Sequence, residues 1–297
     1  MPRPAITSLA LLVAVLGVSL SGPLVRLSHA HPVAIAAWRL TFSMVIVSVP
    51  LGARGTWRQW RTLDARAFAL ATLAGVMLAL HFWSWNTSIT LTTIAASVVL
   101  VNTQPLIVAA LSVVWLRESP TRRQWAGIAI AVVGACVVAA PDLARLGGPA
   151  RPHAMLGDGL ALIGAVTAAS YYVIGRRLRG TLDVWAYVAL VYGACLATLL
   201  VIAAVAGVHL APYPRREFLI FAGLAIGPML LGHTALNWAL RYARAYQVNV
   251  VLLGEPIGAT LLAALLPGIH EIPGALTVLG GMLVLAGILL AERRAPT

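Results

Sequence analysis

Two long hydrophobic stretches of this chain are interrupted in the same way. Asn102-Thr103-Gln104-Pro105 breaks one of them and Leu253-Gly254-Glu255-Pro256 breaks the other. An asparagine precedes each proline by nineteen positions, Asn86 before Pro105 and Asn237 before Pro256. Glu118 is followed nine residues later by Gly127 and then by Gly134, and Glu271 by Gly280 and Gly287 at the same intervals. Polar and helix-breaking positions that repeat inside apolar segments are the pattern of internally duplicated membrane carriers. The constraint is severe, because freed backbone groups in a membrane must face protein or a wet cavity rather than lipid.

Measured against about 20 residues per membrane helix, ten apolar runs qualify. They lie near 5–27, 32–51, 66–89, 94–116, 122–140, 155–175, 184–207, 216–240, 246–267 and 272–291. Only 10% of the residues are charged, against about a quarter in soluble domains. The connections are too short for a soluble domain. The longest, 141–154, is rich in proline and glycine and reads as a periplasmic linker between a first repeat, 1–140, and a second, 155–297. Ser28-His29-Ala30 resembles a signal-peptidase site. Pro23 and Arg26 interrupt the preceding run, however, and cleavage would leave the first half one helix short, so the segment reads as retained.

A formal charge of +12 raises nucleic acid as a partner, but the distribution of charge argues for topology instead. All 21 basic residues are arginines. With the N-terminus inside, fifteen of them flank inner ends of spans. Only Arg26, Arg145, Arg151, Arg215 and Arg216 flank outer ends, and Arg39 lies within a span. This is the positive-inside bias. It leads us to expect a multi-pass membrane protein with both termini cytoplasmic and no nucleic-acid partner. Cys136 and Cys195 fall inside spans, which disfavours a disulfide framework or a zinc site. The chain has no metal-spaced His/Glu cluster, no Gly-x-Ser-x-Gly elbow and no phosphate-binding Gly-Lys loop. We therefore expect no catalytic residue, metal or cofactor, and no ATP-driven pump.

Five spans per half is an odd number, so the second half enters the membrane in the opposite sense to the first. The expected fold is thus all-α, with ten transmembrane helices arranged as two inverted five-helix repeats and a site near the midplane between them. Gln104 lies about ten residues, or roughly 15 Å, into the fourth span, and Glu255 about nine residues, or roughly 13 Å, into the ninth. Both positions approach the middle of a hydrocarbon core about 30 Å thick. Pro105 and Pro256 each remove a backbone donor and crowd the carbonyl four residues back, which makes them candidate hinges.

The ten-span layout, Leu-Gly-Glu-Pro at 253–256, Leu-Arg-Glu-Ser at 116–119, Ala37-Trp38-Arg39-Leu40 and the glycine-spaced fifth and tenth spans resemble the drug/metabolite transporter superfamily, its EamA branch above all. The resemblance covers essentially the whole chain. It implies an inner-membrane exporter of amino acids, metabolites or drugs that works by alternating access. Members of that family often carry Trp-Gly late in the first span, whereas this chain reads Ser19-Leu20-Ser21-Gly22-Pro23. The contribution of that tryptophan to a cavity wall must come from elsewhere.

Glu255 is the leading site candidate, because an ionisable group at the bilayer centre is costly unless paired or hydrated. It suits a proton carrier or a partner for a cationic group; the structural alternative is a carboxyl bonded to backbone freed by Pro256. Arg39, roughly 10 Å below the outer face, can receive a carboxylate or phosphate bidentately, or else snorkel outward or neutralise Glu255. His81 and Trp85 share one helical face with Ser88. With Asn86 and its repeat mate Asn237 they can line a cavity, or form an interfacial aromatic belt. Asn102, Gln104 and Asn249 are substrate contacts or helix–helix glue. Tyr171 and Tyr172 line the inner half or sit at the interface, and the paired glycines read as close packing.

The expected function is a secondary transporter, an exporter of a small polar or amphipathic metabolite, coupled to protons through Glu255. The expected partners are that small molecule and the lipid bilayer, with the protein a monomer or homodimer. An uncoupled uniporter or exchanger of the same fold is the alternative, and an intramembrane enzyme acting on lipid stands further off.

Overall fold

The computed structural model describes residues 4–92, 97, 100–143, 153–265 and 274–292. Among these the regular elements are all helical. In the first half, span 1 comprises Pro4–Ser19 and Ser21–Leu27, span 2 Pro32–Ala53, and span 3 Ala65–Leu91. Span 4 is described from Gln104–Leu111 and continues as a wider π-helical turn, Ser112–Leu116; span 5 is Arg122–Leu143. In the second half, span 6 is Ala154–Leu178 and span 7 Val184–Val205. Span 8 runs through Arg215–Leu224, a π-helical stretch Ala225–Thr234, and Ala235–Ala239. Span 9 comprises Ala245–Leu252 and Glu255–Leu265, and span 10 is Ala275–Glu292. Glu271, Arg3, Arg145, Arg151, Arg293, Arg294 and most of the 141–154 segment lie outside the described residues.

Spans 1, 2, 3, 6, 7 and 8 are long and apolar enough to cross a membrane. Val49, Val114, Met155, Val205 and Leu265 are exposed on the outer surface of the bundle. So many outward apolar side chains suit hydrocarbon rather than water, and the chain is an all-α membrane protein. Asp64 and Asp183 accept from the backbone N–H of Ala67 and Trp185 at 2.6 and 2.9 Å, capping the starts of spans 3 and 7.

The packing repeats as the sequence does. Span 3 packs on span 6 as span 8 packs on span 1, and span 4 on span 6 as span 9 on span 1. Spans 2 and 7, 4 and 9, and 5 and 10 each pack on their own repeat mate. Exchanging the halves leaves this set of neighbours unchanged, as a pseudo-two-fold axis between inverted repeats requires.

The glycine pairs bring spans 5 and 10 together. A Cβ on Gly287 would come within 2.5 Å of the Ala131 nitrogen and 2.6 Å of the Gly127 carbonyl. One on Gly134 would lie 2.6 Å from the Val284 nitrogen and 2.8 Å from the Gly280 carbonyl. Backbone meets backbone at both crossings, as the packing reading of these glycines expects. Gly287→Val should therefore destabilise the fold by about 1–3 kcal/mol through overpacking. Gly159→Ala, where a Cβ meets open space, should not. Thermal unfolding in detergent checks the contrast.

Candidate functional site

The two proline motifs are helix starts. Backbone helicity runs to Val101 and to Leu252, two turn residues follow in each case, and a new helix opens at Gln104 and at Glu255. Proline occupies the first turn of each new helix, where its missing N–H has no helical partner to lose. Spans 4 and 9 meet at these breaks. The Gln104 amide donates to Asn249 Oδ1, and Asn249 Nδ2 donates to the Ala245 carbonyl at 2.9 Å. Ser19 Oγ, at the break in span 1, lies 2.7 Å from the Val15 carbonyl and 3.4 Å from the Glu255 carbonyl. Three interrupted helices thus converge on one level of the bundle.

Arg39 projects inward from span 2 and is only 1% exposed. Its guanidinium carbon lies 3.8 Å from the centre of the Phe82 ring, and Nη2 is 3.1 Å from Met229 Sδ. Nε and Nη1 are buried without a partner. A desolvated cation–π contact contributes about 2 kcal/mol, whereas burying the ion costs several kcal/mol. The ring alone does not offset that cost, so the protein's own contacts leave the Arg39 charge under-satisfied. It does not snorkel outward.

A ring cluster surrounds this cation. Phe82 meets His233 edge-on at 5.5 Å between centroids, and Tyr172 Oη lies 3.2 Å from His233 Nδ1. His81 Nδ1 is 2.9 Å from the Gly164 carbonyl, and its ring lies parallel to Trp85 at 6.2 Å. These rings supply the aromatic wall that span 1, with its Ser-Leu-Ser-Gly-Pro, does not.

Glu255 lines the same cavity as Arg39. Among the described residues no ion pair joins the two, and no hydrogen bond engages the Glu255 carboxylate. The cavity has a volume of about 60 Å³, room for water, since about 10–15 Å³ already admits one molecule. Contacts between the halves tie the bundle near both ends of its spans. At one end Arg176 of span 6 meets Glu118, just beyond span 4, at 2.8 Å and donates to the Leu240 carbonyl of span 8 at 2.7 Å. At the other, Glu217 of span 8 accepts from Ser28 Oγ at 2.5 Å and from the His29 N–H at 3.2 Å. Beside the first tie, Arg244 donates to the Tyr246 hydroxyl at 2.9 Å, a contact that raises its pKa above the usual arginine value.

Of the residues singled out in the sequence, Glu255, Arg39, His81, Trp85, Asn102 and Gln104 line this cavity, as does Pro105. Asn249 stands behind Gln104. Asn237 donates to the Tyr171 hydroxyl and, at 2.7 Å, to the His233 carbonyl, so Asn237 and Tyr171 join spans 8 and 6 away from the lining. Asn86 donates to the Pro32 carbonyl at 3.2 Å and borders a separate crevice between spans 1, 2 and 3. Pro256 is buried beside Glu255. Ser88 bonds Ser97 at 2.8 Å rather than joining His81 and Trp85 in the lining.

Tyr172, named with Tyr171 in the sequence, lines the cavity, and so does His233, which the pattern of repeated breaks does not single out. A signal for His233 was available: it is an ionisable residue within an apolar span, 151 positions after Phe82, the offset that also relates Pro105 to Pro256. What turns it inward is the π-helical stretch Ala225–Thr234, which contains Pro228. The Met229 carbonyl there accepts from the Tyr192 hydroxyl at 3.3 Å and from Thr234 Oγ1 at 3.1 Å. Such bulges shift the register of everything that follows, and they recur at functional sites.

Comparison with known proteins agrees with this architecture. A solved crystal structure 19% identical to the chain superposes with a TM-score of 0.79, covering 98% of this chain and 97% of that one, and shows the same fold. A protein of Streptantibioticus cattleyicolor described as a "Probable terminal-alkyne amino-acid exporter" is 27% identical over 259 residues, 86% of this chain and 82% of its own length. The profile of the EamA-like transporter family matches twice, at residues 5–140 and 155–292. Duplicated in sequence, paired in packing and matched in both halves, the chain belongs to the EamA-like transporter family.

Proposed function

We propose that the protein exports a small zwitterionic metabolite of the amino-acid type across a bacterial inner membrane by alternating access. One observation carries the reading. A guanidinium from the first half and a carboxyl from the second line one cavity, and neither is paired with the other. Arg39 offers unpartnered donors at Nε and Nη1, and a carboxylate oxygen is the charge-assisted complement of such a donor. Glu255 is the complement of an ammonium group, and it is also the candidate proton carrier when the site is empty. The zwitterion would then satisfy two groups that are expensive to leave bare, one from each half, and so couple binding to the relative position of the halves.

The ties at both ends and the small central volume support the reading of this arrangement as an occluded one, from which either end opens by breaking one set of contacts. Both termini are cytoplasmic in this reading, 1–140 and 155–297 are the moving repeats, and 141–154 joins them on the periplasmic side. The relative's name supports the amino-acid class.

Thermal unfolding of the purified protein across amino acids, polyamines, sugars and aromatic cations tests the proposal. A ligand that binds the native state stabilises it by about 2.7 kcal/mol at a hundred times its Kd. Stabilisation by amino acids, and none by decarboxylated amines or by deaminated acids of the same size, is the expected outcome. Stabilisation by amines alone would remove Arg39 from the reading, and a flat panel would sink the amino-acid class.

A further inference from the structure

We propose that Trp85, with His81 beside it, selects substrates whose side chain carries a hydroxyl or a carboxamide; this rests on the amino-acid reading above. Among the described residues that line the central cavity, the buried polar atoms without a partner are Arg39 Nε, Arg39 Nη1 and Trp85 Nε1. Those on Arg39 suit a carboxylate oxygen. The indole N–H of Trp85 is then left over, 5% exposed and without an acceptor. Phenylalanine would supply an aromatic wall without that donor, and a buried tryptophan N–H ordinarily finds a partner.

His81 supplies the complementary half. Its Nδ1 lies 2.9 Å from the Gly164 carbonyl, which can only accept, so Nδ1 carries the hydrogen. Nε2 of the neutral ring is thereby an acceptor. The two rings lie parallel with centroids 6.2 Å apart and both residues line the cavity, which brings an unused donor and an acceptor to the same wall. An aliphatic side chain would displace water from both and replace neither bond, and a buried polar group stripped of its partner is strongly unfavourable. A hydroxyl accepts from the indole and donates to the imidazole, and a carboxamide does the same through its C=O and NH₂. Sites built around such bonds reject analogues that lack the polar group, whereas purely apolar pockets discriminate poorly.

The test uses the full-length protein in detergent and two pairs of similarly shaped ligands, L-asparagine against L-leucine and L-serine against L-2-aminobutyrate, with Kd measured for each. The expected result is that wild type binds the polar member of each pair about tenfold or more tightly, and that Trp85→Phe brings both ratios close to one. Equal affinities within the pairs for wild type would overturn the proposal, and so would ratios that Trp85→Phe leaves unchanged, since the N–H would then serve a resident water only. The wild-type ratios decide the first point whether or not the variant folds. Binding of all four ligands without preference overturns this proposal alone, whereas binding of none overturns the amino-acid reading with it.

Discussion

Glu255→Gln is expected to fold normally, to lose most of its affinity for an amino-acid ligand, and to export at a rate that ignores a pH gradient. Glutamine has nearly the same shape, and among the described residues no hydrogen bond or ion pair is broken by the change. What disappears is the charge and the exchangeable proton. Hydrogen bonds to charged groups contribute about 1.5–3 kcal/mol, so affinity should fall about 10- to 150-fold. Counterflow in proteoliposomes with and without an imposed pH difference separates the two roles. Weakened binding with coupling retained would make Glu255 a substrate anchor only. Intact binding with coupling lost would make it a proton site only. Wild-type rate with unchanged pH dependence would exclude it from the cycle and favour the uncoupled carrier.

Arg39→Lys is the second large effect expected, and it is more informative than removal of the side chain. Alanine would leave a void beneath Phe82 and beside Met229, confounding stability with binding. Lysine keeps a positive charge but loses the planar fork and the stacked contact with the ring, which is 3.8 Å from the guanidinium carbon. Affinity for a free amino acid should drop about 10- to 100-fold, or roughly 1.4–2.8 kcal/mol. The matching amino-acid amide, which has no carboxylate, should show no comparable further loss. An equal loss for acid and amide would mean that Arg39 shapes the cavity without receiving the carboxylate. Because Arg39 and Glu255 line one cavity, a double-mutant cycle with the zwitterion bound should also reveal coupling between them.

The site residues that the sequence exposed share one property: they are polar groups placed where lipid or an apolar core makes polarity expensive. Arg39, His81, Asn102, Gln104 and Glu255 stand out on that ground alone, and the matched prolines single out two of them further. Repeat symmetry was informative about architecture but misleading as a guide to the cavity. It pairs Asn86 with Asn237, yet one borders a crevice beside span 2 and the other ties span 8 to span 6 through the Tyr171 hydroxyl. Symmetry relates positions in the fold, whereas the central cavity has an asymmetric lining.

The amino-acid sequence by itself determined the number of apolar spans, their duplication, the two proline-marked breaks and the close packing at the glycines of spans 5 and 10, because each follows from length, polarity or the absence of a side chain. Only the tertiary structure decided which polar residues meet. Successive helical residues point about 100° apart, so the choice between Tyr171 and Tyr172 depends on helix rotation, which packing sets. The same holds for His233, turned inward by a π-helical stretch whose Met229 carbonyl accepts from the hydroxyls of Tyr192 of span 7 and Thr234. That backbone conformation is stabilised by a partner distant in the chain, and so it is settled by the fold rather than by the local sequence.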